Sequence, residues 1–209
     1  MPASLPRPLF GGAISLPLPI DYIDASDLRQ IPDNQEVFLS PTSDTSVILE
    51  VLGLVEEGAA KTDLWEAAKF HFGSLAHDNA ALASNITTPQ ENIPAPPQQE
   101  VSASDLANLP TPKPVVIAGT QTIHKYSHDP RGGPRPGHEG DAPDDVFIGL
   151  ALWRINLQIG KERKRADLVL SINVPAGAGT KERDVAERWF KAAADELRIE
   201  DWGLFANEV

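Results

Sequence analysis

The sequence predicts an α+β fold, in which helices pack on a sheet that is built mainly from antiparallel hairpins. Strand-like apolar segments follow one another through short polar connections and do not alternate strictly with helices. Two further segments have helical periodicity with one apolar face each, as expected for helices that pack on a sheet. These two observations predict the α+β class.

Six segments have the pattern of β-strands, and they are residues 13–16, 35–39, 45–55, 115–126, 146–159 and 168–174. Segment 45–55 is nearly all apolar, which is typical of a strand covered on both faces. After an apolar start, segment 146–159 alternates, so that Trp153 and Ile155 should face the core while Arg154 faces solvent. The short, charged connection 160–166 predicts an antiparallel hairpin between the last two strands.

Two segments have the pattern of amphipathic helices. In the first, Asp63 is placed to cap the helix, with Glu66 three residues later. Its apolar stripe contains Leu64, Ala68, His71 and Leu75, so His71 is expected to be a hydrogen-bonded core residue. The second helix should begin at Thr180, and its apolar residues recur at Val185, Trp189, Ala193 and Leu197.

Two segments rich in proline or glycine interrupt these patterns within what we interpret as a single domain over residues 1–209. Residues 80–112 are rich in Pro, Gln, Asn and Ser, which predicts a largely irregular insert with one short helical turn at 104–109. Residues 127–145 contain the run PRGGPRPG and should form a mobile loop.

Composition excludes several functional classes. The 209 residues include 18 basic and 30 acidic side chains, a net charge of −12, and no cysteine. The absence of cysteine excludes a disulfide framework, a thiolate metal site and a cysteine nucleophile. There is no apolar run of about 18 residues and no signal-peptide pattern, so we expect a soluble intracellular protein.

The acidic charge is concentrated near the N-terminus. Residues 1–60 hold nine acidic and two basic side chains. An acidic surface repels phosphate backbones, which disfavours nucleic-acid binding and favours a basic protein partner. A solvated acidic surface that only aids solubility is the alternative.

Motifs that would carry catalysis are incomplete. Residues 177–181 (GAGTK) lie between a strand and a helix but match neither a Walker loop nor a dinucleotide fingerprint. His124, His128 and His138, with Asp129 or Glu139, can in principle bind zinc, but they lie on a strand end and a Gly/Pro loop without rigid support. We therefore favour exposed loop histidines, and we expect no metal, no cofactor and no enzymatic activity.

One basic cluster, KERKR at residues 161–165, stands out from the acidic background. It is compatible with a nuclear-import signal or an anion-binding patch. A solvated hairpin turn whose charges discourage edge pairing is an equally good interpretation.

Acidic residues cluster between residues 23 and 38, where four carboxylates, Asp24, Asp27, Asp33 and Glu36, lie within thirteen residues. Capping of a helical turn by Asp24 or Ser26 and a turn at Asp33-Asn34 after Pro32 explain some of these residues, but not Asp27 or Glu36. Glu50 is unusual as well, because it lies within an otherwise apolar strand, where burial of an unpartnered carboxylate is costly. It faces either a solvent-accessible opening or a functional site.

Several of these stretches together resemble the Ran guanine-nucleotide release factors. The resemblance starts with LFGGAI at residues 9–14 and YIDASDLRQIPDNQEVF at 22–38, and it continues at 47–50 (VILE), 63–72 and 171–175 (SINVP). It covers roughly the first 78 residues and residues 115–205. This chain departs from the family pattern at Gly53, where relatives often have an acidic residue, and in its longer Pro-rich insert.

The resemblance implies a small protein of the nucleus, found also in the cytoplasm, that binds the GTPase Ran, promotes nucleotide release and supports nuclear protein import. It also implies a central antiparallel sheet with helices on both sides. Combined with the strand patterns, this gives a mostly antiparallel sheet of about six strands with helices packed on both faces.

We further expect the acidic residues to bind basic groups on Ran near its nucleotide site. The expected contact residues are Asp24, Asp27, Leu28, Arg29, Gln30, Pro32, Asp33, Asn34, Gln35, Glu36 and Glu50. Arg29 would pair with an acidic residue of Ran or, internally, with Asp33. The alternatives are an adaptor that binds Ran or another protein without exchange activity, and a metal-dependent enzyme that uses the loop histidines. We expect a monomer that contacts neither nucleic acid nor membrane.

Overall fold

The computed structural model of the chain describes residues 3–125, 127 and 129–205. Its strands are β1 (Ser4–Leu9), β2 (Ile14–Pro19), β3 (Ile23–Asp24), β4 (Gln35–Leu39), β5 (Ser46–Leu52), β6 (Ala83–Ile86), β7 (Gln99–Glu100), β8 (Val115–Ile123), β9 (Asp144–Ile159), β10 (Glu162–Pro175) and β11 (Arg198–Ile199). Two α-helices, α1 (Leu64–Asp78) and α2 (Thr180–Glu196), and short 3-10 turns complete the fold. Among the described residues, no helix is long and apolar enough to cross a membrane.

The long hairpin of β9 and β10 forms the centre of the larger sheet. Its antiparallel register runs from Ile159 opposite Glu162 to Val146 opposite Pro175, as the short connection predicts. The strand order is β3-β4-β5-β10-β9-β8-β6, and the short β7 pairs in parallel with β9. The α+β class is confirmed, although the sheet is larger than six strands.

The two helices pack on opposite faces of this sheet. Alternate residues of β9 accordingly belong to two different hydrophobic cores. Leu64, Trp65 and Phe72 of α1 belong to one core with Ile148 and Leu150. A second core surrounds Trp189 and Phe190 of α2 and includes Phe147 and Trp153, together with the three-stranded sheet β1-β2-β11.

The predicted helix boundaries agree with the structure. Asp63 caps α1, since its Oδ1 accepts hydrogen bonds from the backbone N–H groups of Trp65 (2.8 Å) and Glu66 (3.3 Å). The first residue of α2 is Thr180, and Gly179 at its N-cap has a positive φ of 83°, a conformation that favours glycine.

Two expectations about strand faces are wrong. The segment 45–55 is not buried on both faces: β5 spans Ser46–Leu52, and Val47 and Leu49 are buried while Ile48 and Glu50 are half-buried. Arg154 does not point to solvent but is buried, because a carboxylate on the neighbouring strand pairs with it. Tyr126, the last residue of the predicted strand 115–126, lies outside the described residues.

Residues 80–112 form a strap across the sheet and the start of α1. The strap begins with β6, which pairs with β8 at the sheet edge. It then passes α1, where the backbone N–H of Leu64 donates to the carbonyl of Ile93 (2.7 Å) and that of Ala95 to the carbonyl of Thr62 (2.9 Å). Finally β7 pairs with the end of β9, and a 3-10 turn at Leu106–Asn108 falls within the predicted helical turn.

Candidate partner-binding surface

The acidic residues between 23 and 38 lie at the β3 and β4 edge of the large sheet. Asp24 ends β3 and caps a 3-10 turn at Ala25–Asp27, where its Oδ1 accepts a hydrogen bond from the backbone N–H of Ser26 (2.8 Å). A second turn follows at Asp33-Asn34, closed by a hydrogen bond from the backbone N–H of Gln35 to the carbonyl of Pro32 (2.9 Å). Both local structures are those predicted from the residue types.

Between these turns the chain is exposed. The exposed members of the predicted contact set are Asp27, Leu28, Arg29, Gln30, Pro32, Asp33 and Asn34, while Asp24 is half-buried. Leu28 is 67% exposed, which is unusual for a large aliphatic side chain among acidic residues. No ion pair joins Arg29 to Asp33 within the described part of the chain, so Arg29 remains available to a partner.

Two apolar residues outside the predicted contact set lie next to this exposed segment. Ile20 is 53% exposed and Ile23 is 40% exposed. The signal was available in the sequence, because each of them neighbours an aspartate in an otherwise polar turn region. Together with Leu28, they make this edge of the sheet apolar as well as acidic.

Glu36 has a structural contact in addition to its charge. Its Oε1 accepts a hydrogen bond from the backbone N–H of Phe10 (2.5 Å) in the turn between β1 and β2. This turn is tight, since Phe10, Gly11 and Gly12 all have positive φ values of 49°, 65° and 98°. Glu36 therefore joins the two N-terminal stretches, 9–14 and 22–38, that carry the family resemblance.

Glu50 lies on the other face of the sheet from Glu36. It is opposite Gln35 in the register of β4 and β5, and the Gln35 amide Nε2 donates to its Oε1 (2.6 Å). Burial raises the pKa of the Glu50 carboxyl, the Gln35 hydrogen bond lowers it, and the charge of Asp78 on α1 raises it again; the balance is a raised pKa. Glu50 is therefore half-buried on the side of the sheet that carries α1.

Asn34 fixes the turn between these residues to the sheet. The backbone N–H of Val51 donates to the carbonyl of Asn34 (2.9 Å), and the Asn34 amide Nδ2 donates to the carbonyl of Val51 (3.3 Å). The structure thus joins Asn34 to Val51 and Gln35 to Glu50, whereas Glu36 faces the opposite side and Asp27 and Asp33 are exposed at the edge.

The histidine loop forms no metal site in the described residues. His138 is half-buried, and its Nδ1 lies 2.8 Å from Asp141 Oδ2. The described parts of the chain contain no group of three or more His, Asp or Glu side chains positioned to hold a metal ion. His128, a member of the predicted set, lies outside the described residues.

The basic cluster at 161–165 is divided by internal contacts. Lys164 is buried, and its Nζ donates to the carbonyl of Phe205 (3.0 Å). Arg165 forms an ion pair with Glu56 (2.5 Å), while Lys161 is exposed at the hairpin turn. Residues 162–165 belong to β10, so most of the cluster lies outside the turn, and the burial of Lys164 departs from the expectation of a solvated hairpin turn.

A buried charge network anchors α1 to the sheet. Arg154 on β9 donates from Nε to Asp167 Oδ1 (2.8 Å) and from Nη2 to Oδ2 (2.9 Å). His71 Nε2 lies 2.9 Å from Asp167 Oδ2, which confirms the prediction that His71 is a hydrogen-bonded core residue. All three side chains of the network are buried. We therefore assign the network to stabilisation of the fold and not to partner binding.

Comparison with known families identifies the chain. A family model described as "Ran-interacting Mog1 protein" matches residues 7–175, which include the exposed acidic edge, Glu50, α1 and the central hairpin. The chain belongs to this family. The resemblance inferred from residues 9–14, 22–38 and 47–50 is thereby confirmed.

Curated relatives carry consistent names. A Ran guanine nucleotide release factor of Danio rerio is 35% identical over 95% of this chain and 98% of the relative. The Homo sapiens protein of the same name is 43% identical over 80% of this chain and 74% of the relative. The Schizosaccharomyces pombe nuclear import protein mog1 is 47% identical, but over only 35% of this chain and 37% of the relative.

Solved structures share the fold. The crystal structure of the Saccharomyces cerevisiae Ran-binding protein Mog1p superposes with a TM-score of 0.63 over 99% of this chain and 100% of that protein, at 23% identity. At this identity the similarity establishes the architecture, an antiparallel sheet between two helices, independently of the sequence matches.

Proposed function

We propose that this protein binds the GTPase Ran and promotes release of its guanine nucleotide, in support of nuclear protein import. Membership of the Ran-interacting Mog1 family and the names of the relatives support this assignment. We further propose that it acts as a non-enzymatic regulator in the nucleus and the cytoplasm.

The proposed mechanism requires no bond-making by this protein. A release factor works by binding the nucleotide-free GTPase more tightly than the loaded one, which shifts the population toward the open state. GTPases hold the nucleotide phosphates with a lysine, backbone donors and Mg²⁺. Carboxylates that bind basic groups near this site would compete with the nucleotide for them.

Glu50 is the observation that carries the site assignment. It is half-buried in β5, burial raises its pKa, and its hydrogen-bond partner is the neutral amide of Gln35. No cation forms an ion pair with Glu50 among the described residues. The charge is therefore unfavourable in the free protein, and a basic group of a bound partner would stabilise it.

The exposed edge is proposed to supply the rest of the contact. Asp27 and Asp33 offer carboxylates without internal partners among the described residues. Leu28 offers an aliphatic side chain that a partner can bury, and an apolar centre with a polar rim is typical of protein interfaces. Gln30, Pro32 and Asn34 border the same exposed segment.

Nucleotide release from Ran tests the proposal. Ran loaded with a fluorescent guanine nucleotide is mixed with excess unlabelled nucleotide and increasing amounts of this protein, and the loss of fluorescence is followed. We expect dose-dependent acceleration. Binding without acceleration would identify an adaptor, and absence of binding would refute the assignment.

A further inference from the structure

A groove follows the outer flank of α1 on the same side of the sheet as Glu50. It has a volume of about 730 Å³ and is lined by α1 residues and by the connection that precedes the helix. Glu57 lies in that connection and Asp78 is the last residue of α1, and both carboxylates line the groove.

The middle of the groove is apolar and open. Phe70 lines it with 40% of its surface exposed, and its ring meets the ring of His71 edge-on at a centroid distance of 5.9 Å. Gly73 lies one turn further along the helix, where an added Cβ would meet no atom within 4 Å. Ala59 lines the opposite wall.

Gly73 is not explained by packing within this chain. Glycine in a helix interior lowers helix stability relative to alanine, because it loses more backbone entropy on folding. Here there is empty space for a side chain, so no internal contact requires glycine. Gly73 lines the groove, so a long side chain at this position would occupy part of the open space beside Phe70.

The charges around the groove favour a basic occupant. The carboxylates of Glu57 and Asp78 are exposed and have no hydrogen-bond or ion-pair partner in the described residues. Lys69, in contrast, is engaged by Glu66 (3.2 Å) and by the ring of Trp65, 5.5 Å from its Nζ. His77 completes the lining and can carry at most one positive charge.

We propose that this groove binds a basic segment of Ran, which places an apolar side chain against Phe70 and Gly73 and cationic groups beside Glu57 and Asp78. The inference rests on the proposed function and extends its interface from the β4 and β5 edge onto α1.

The groove lies on the same side of the sheet as Glu50, because α1 packs on that face. The negative charge of Asp78, which lines the groove, is also one cause of the raised pKa of Glu50. We therefore place Glu50 and the groove within one basic surface of the partner.

The first test fills the groove without changing its charges. Gly73→Gln places a polar side chain in the depression, and Gly177→Gln is the matched control, because Gly177 is also exposed and an added Cβ there also meets no atom within 4 Å. We expect Gly73→Gln to weaken Ran binding at least about tenfold in a titration and the control to bind like wild type. Thermal unfolding verifies that both variants are folded.

The second test reverses the charges of the two unpaired carboxylates that line the groove. The double variant Glu57→Lys/Asp78→Lys should also weaken Ran binding about tenfold or more, and the effect should shrink at high salt. Asp195→Lys/Glu196→Lys, which changes two exposed acidic residues of α2 on the opposite face, is the control and should bind normally.

The outcomes separate this inference from the proposed function. If the wild-type protein binds Ran, and both Gly73→Gln and Glu57→Lys/Asp78→Lys bind Ran with the wild-type affinity, the groove is not part of the interface. The proposed function would then still stand. Failure of the wild-type protein to bind Ran would overturn both. Loss of affinity in both variants but in neither control would establish the groove as part of the interface.

Discussion

Asp27 carries its charge on an exposed 3-10 turn, where no described residue forms a hydrogen bond or ion pair with its carboxylate. Charge reversal by Asp27→Lys should weaken Ran binding by about 1–3 kcal/mol, since a repulsive contact replaces an attractive one. The midpoint of thermal unfolding should not change, because no internal contact is lost. Calorimetric titration with Ran measures the first effect, and normal affinity of the variant would exclude Asp27 from the interface.

Glu36 differs from Asp27 because its carboxylate holds the turn between β1 and β2. Glu36→Ala removes the acceptor for the Phe10 N–H and should lower the free energy of unfolding by about 1–3 kcal/mol. Glu36→Gln keeps an amide oxygen as acceptor and should cost less. Urea unfolding of the two variants measures the difference. Equal stability of Glu36→Ala and wild type would show that the hydrogen bond is not needed.

Glu50 is expected to show the opposite effect on stability. Because its pKa in the folded protein is raised, the folded state favours the protonated carboxyl, and this contribution is lost as the pH rises through the folded pKa. At pH 7, Glu50→Gln should therefore be at least as stable as wild type, yet it should weaken Ran binding. Unfolding and binding measured at pH 7 test both statements; a destabilised variant with normal binding would contradict the site assignment.

Local structure, such as caps and turns, can be predicted from neighbouring residue types, whereas contacts between residues far apart in the sequence cannot. The Asp24 cap and the Asp33-Asn34 turn depend on neighbouring residues, and both are present in the structure. The Glu36 to Phe10 hydrogen bond spans 26 residues and has no periodic signature. Arg154 was misplaced for the same reason: alternation within one strand cannot reveal a carboxylate on the next strand.

At the scale of single elements, α1 is destabilised by its own glycine. Gly73→Ala should raise the free energy of unfolding by roughly 0.5–1 kcal/mol, because alanine has a higher helix propensity and space is available for its methyl group. Chemical denaturation measures the gain. A loss of stability would mean that the helix requires glycine at this position and would remove one argument for the groove.

The long periodic elements agree with the sequence prediction, whereas the shortest strands of the larger sheet are not predicted. Both α-helices and the β9 and β10 hairpin contain enough residues for their apolar patterns to be unambiguous. Strands β3, β6 and β7 contain two to four residues, too few for an alternating pattern. With the five predicted strands β4, β5, β8, β9 and β10 they make up the eight described strands of the larger sheet, whereas the predicted strand 13–16 corresponds to β2 of the three-stranded sheet. The sequence also does not predict the groove, since the groove depends on how α1 packs beside the loop that precedes it.

At the scale of the whole molecule, the acidic edge, the groove and the core depend on one another through the buried charge network. Arg154 donates from Nη1 to the carbonyl of Ala60 (2.7 Å) and from Nη2 to that of Val55 (3.2 Å), so it also fixes the connection that forms one wall of the groove. Asp167 accepts from Arg154 and from the Val55 N–H (3.1 Å), and it contacts His71 of α1. The network therefore positions α1 and its groove relative to the sheet.

This network predicts how stability depends on pH. Burial alone raises the pKa of Asp167, but hydrogen bonds from Arg154 and His71 outweigh it and hold the pKa below its ordinary value. A carboxyl with a lowered folded pKa stabilises the fold above its unfolded pKa of about 4, and this contribution is lost as the pH falls through the folded pKa. Asp167→Asn leaves Arg154 buried without its counterion and should cost about 3–5 kcal/mol at pH 7.

The difference in stability between wild type and Asp167→Asn should be constant from pH 7 down to about pH 5 and should narrow below about pH 4, because the Asp167 carboxyl then takes up a proton in the unfolded chain while it stays ionised in the folded protein. Urea unfolding of both proteins across this range measures it, and the exposed Asp184 on α2 provides a control variant, Asp184→Asn, that should follow wild type throughout. The same network holds the wall of the groove, so Asp167→Asn should also weaken Ran binding at pH 7, where the protein is still folded. A difference in stability that stays constant to pH 3 would show that the Asp167 charge does not stabilise the fold. Normal Ran binding by the folded variant would show that the groove keeps its shape without the network.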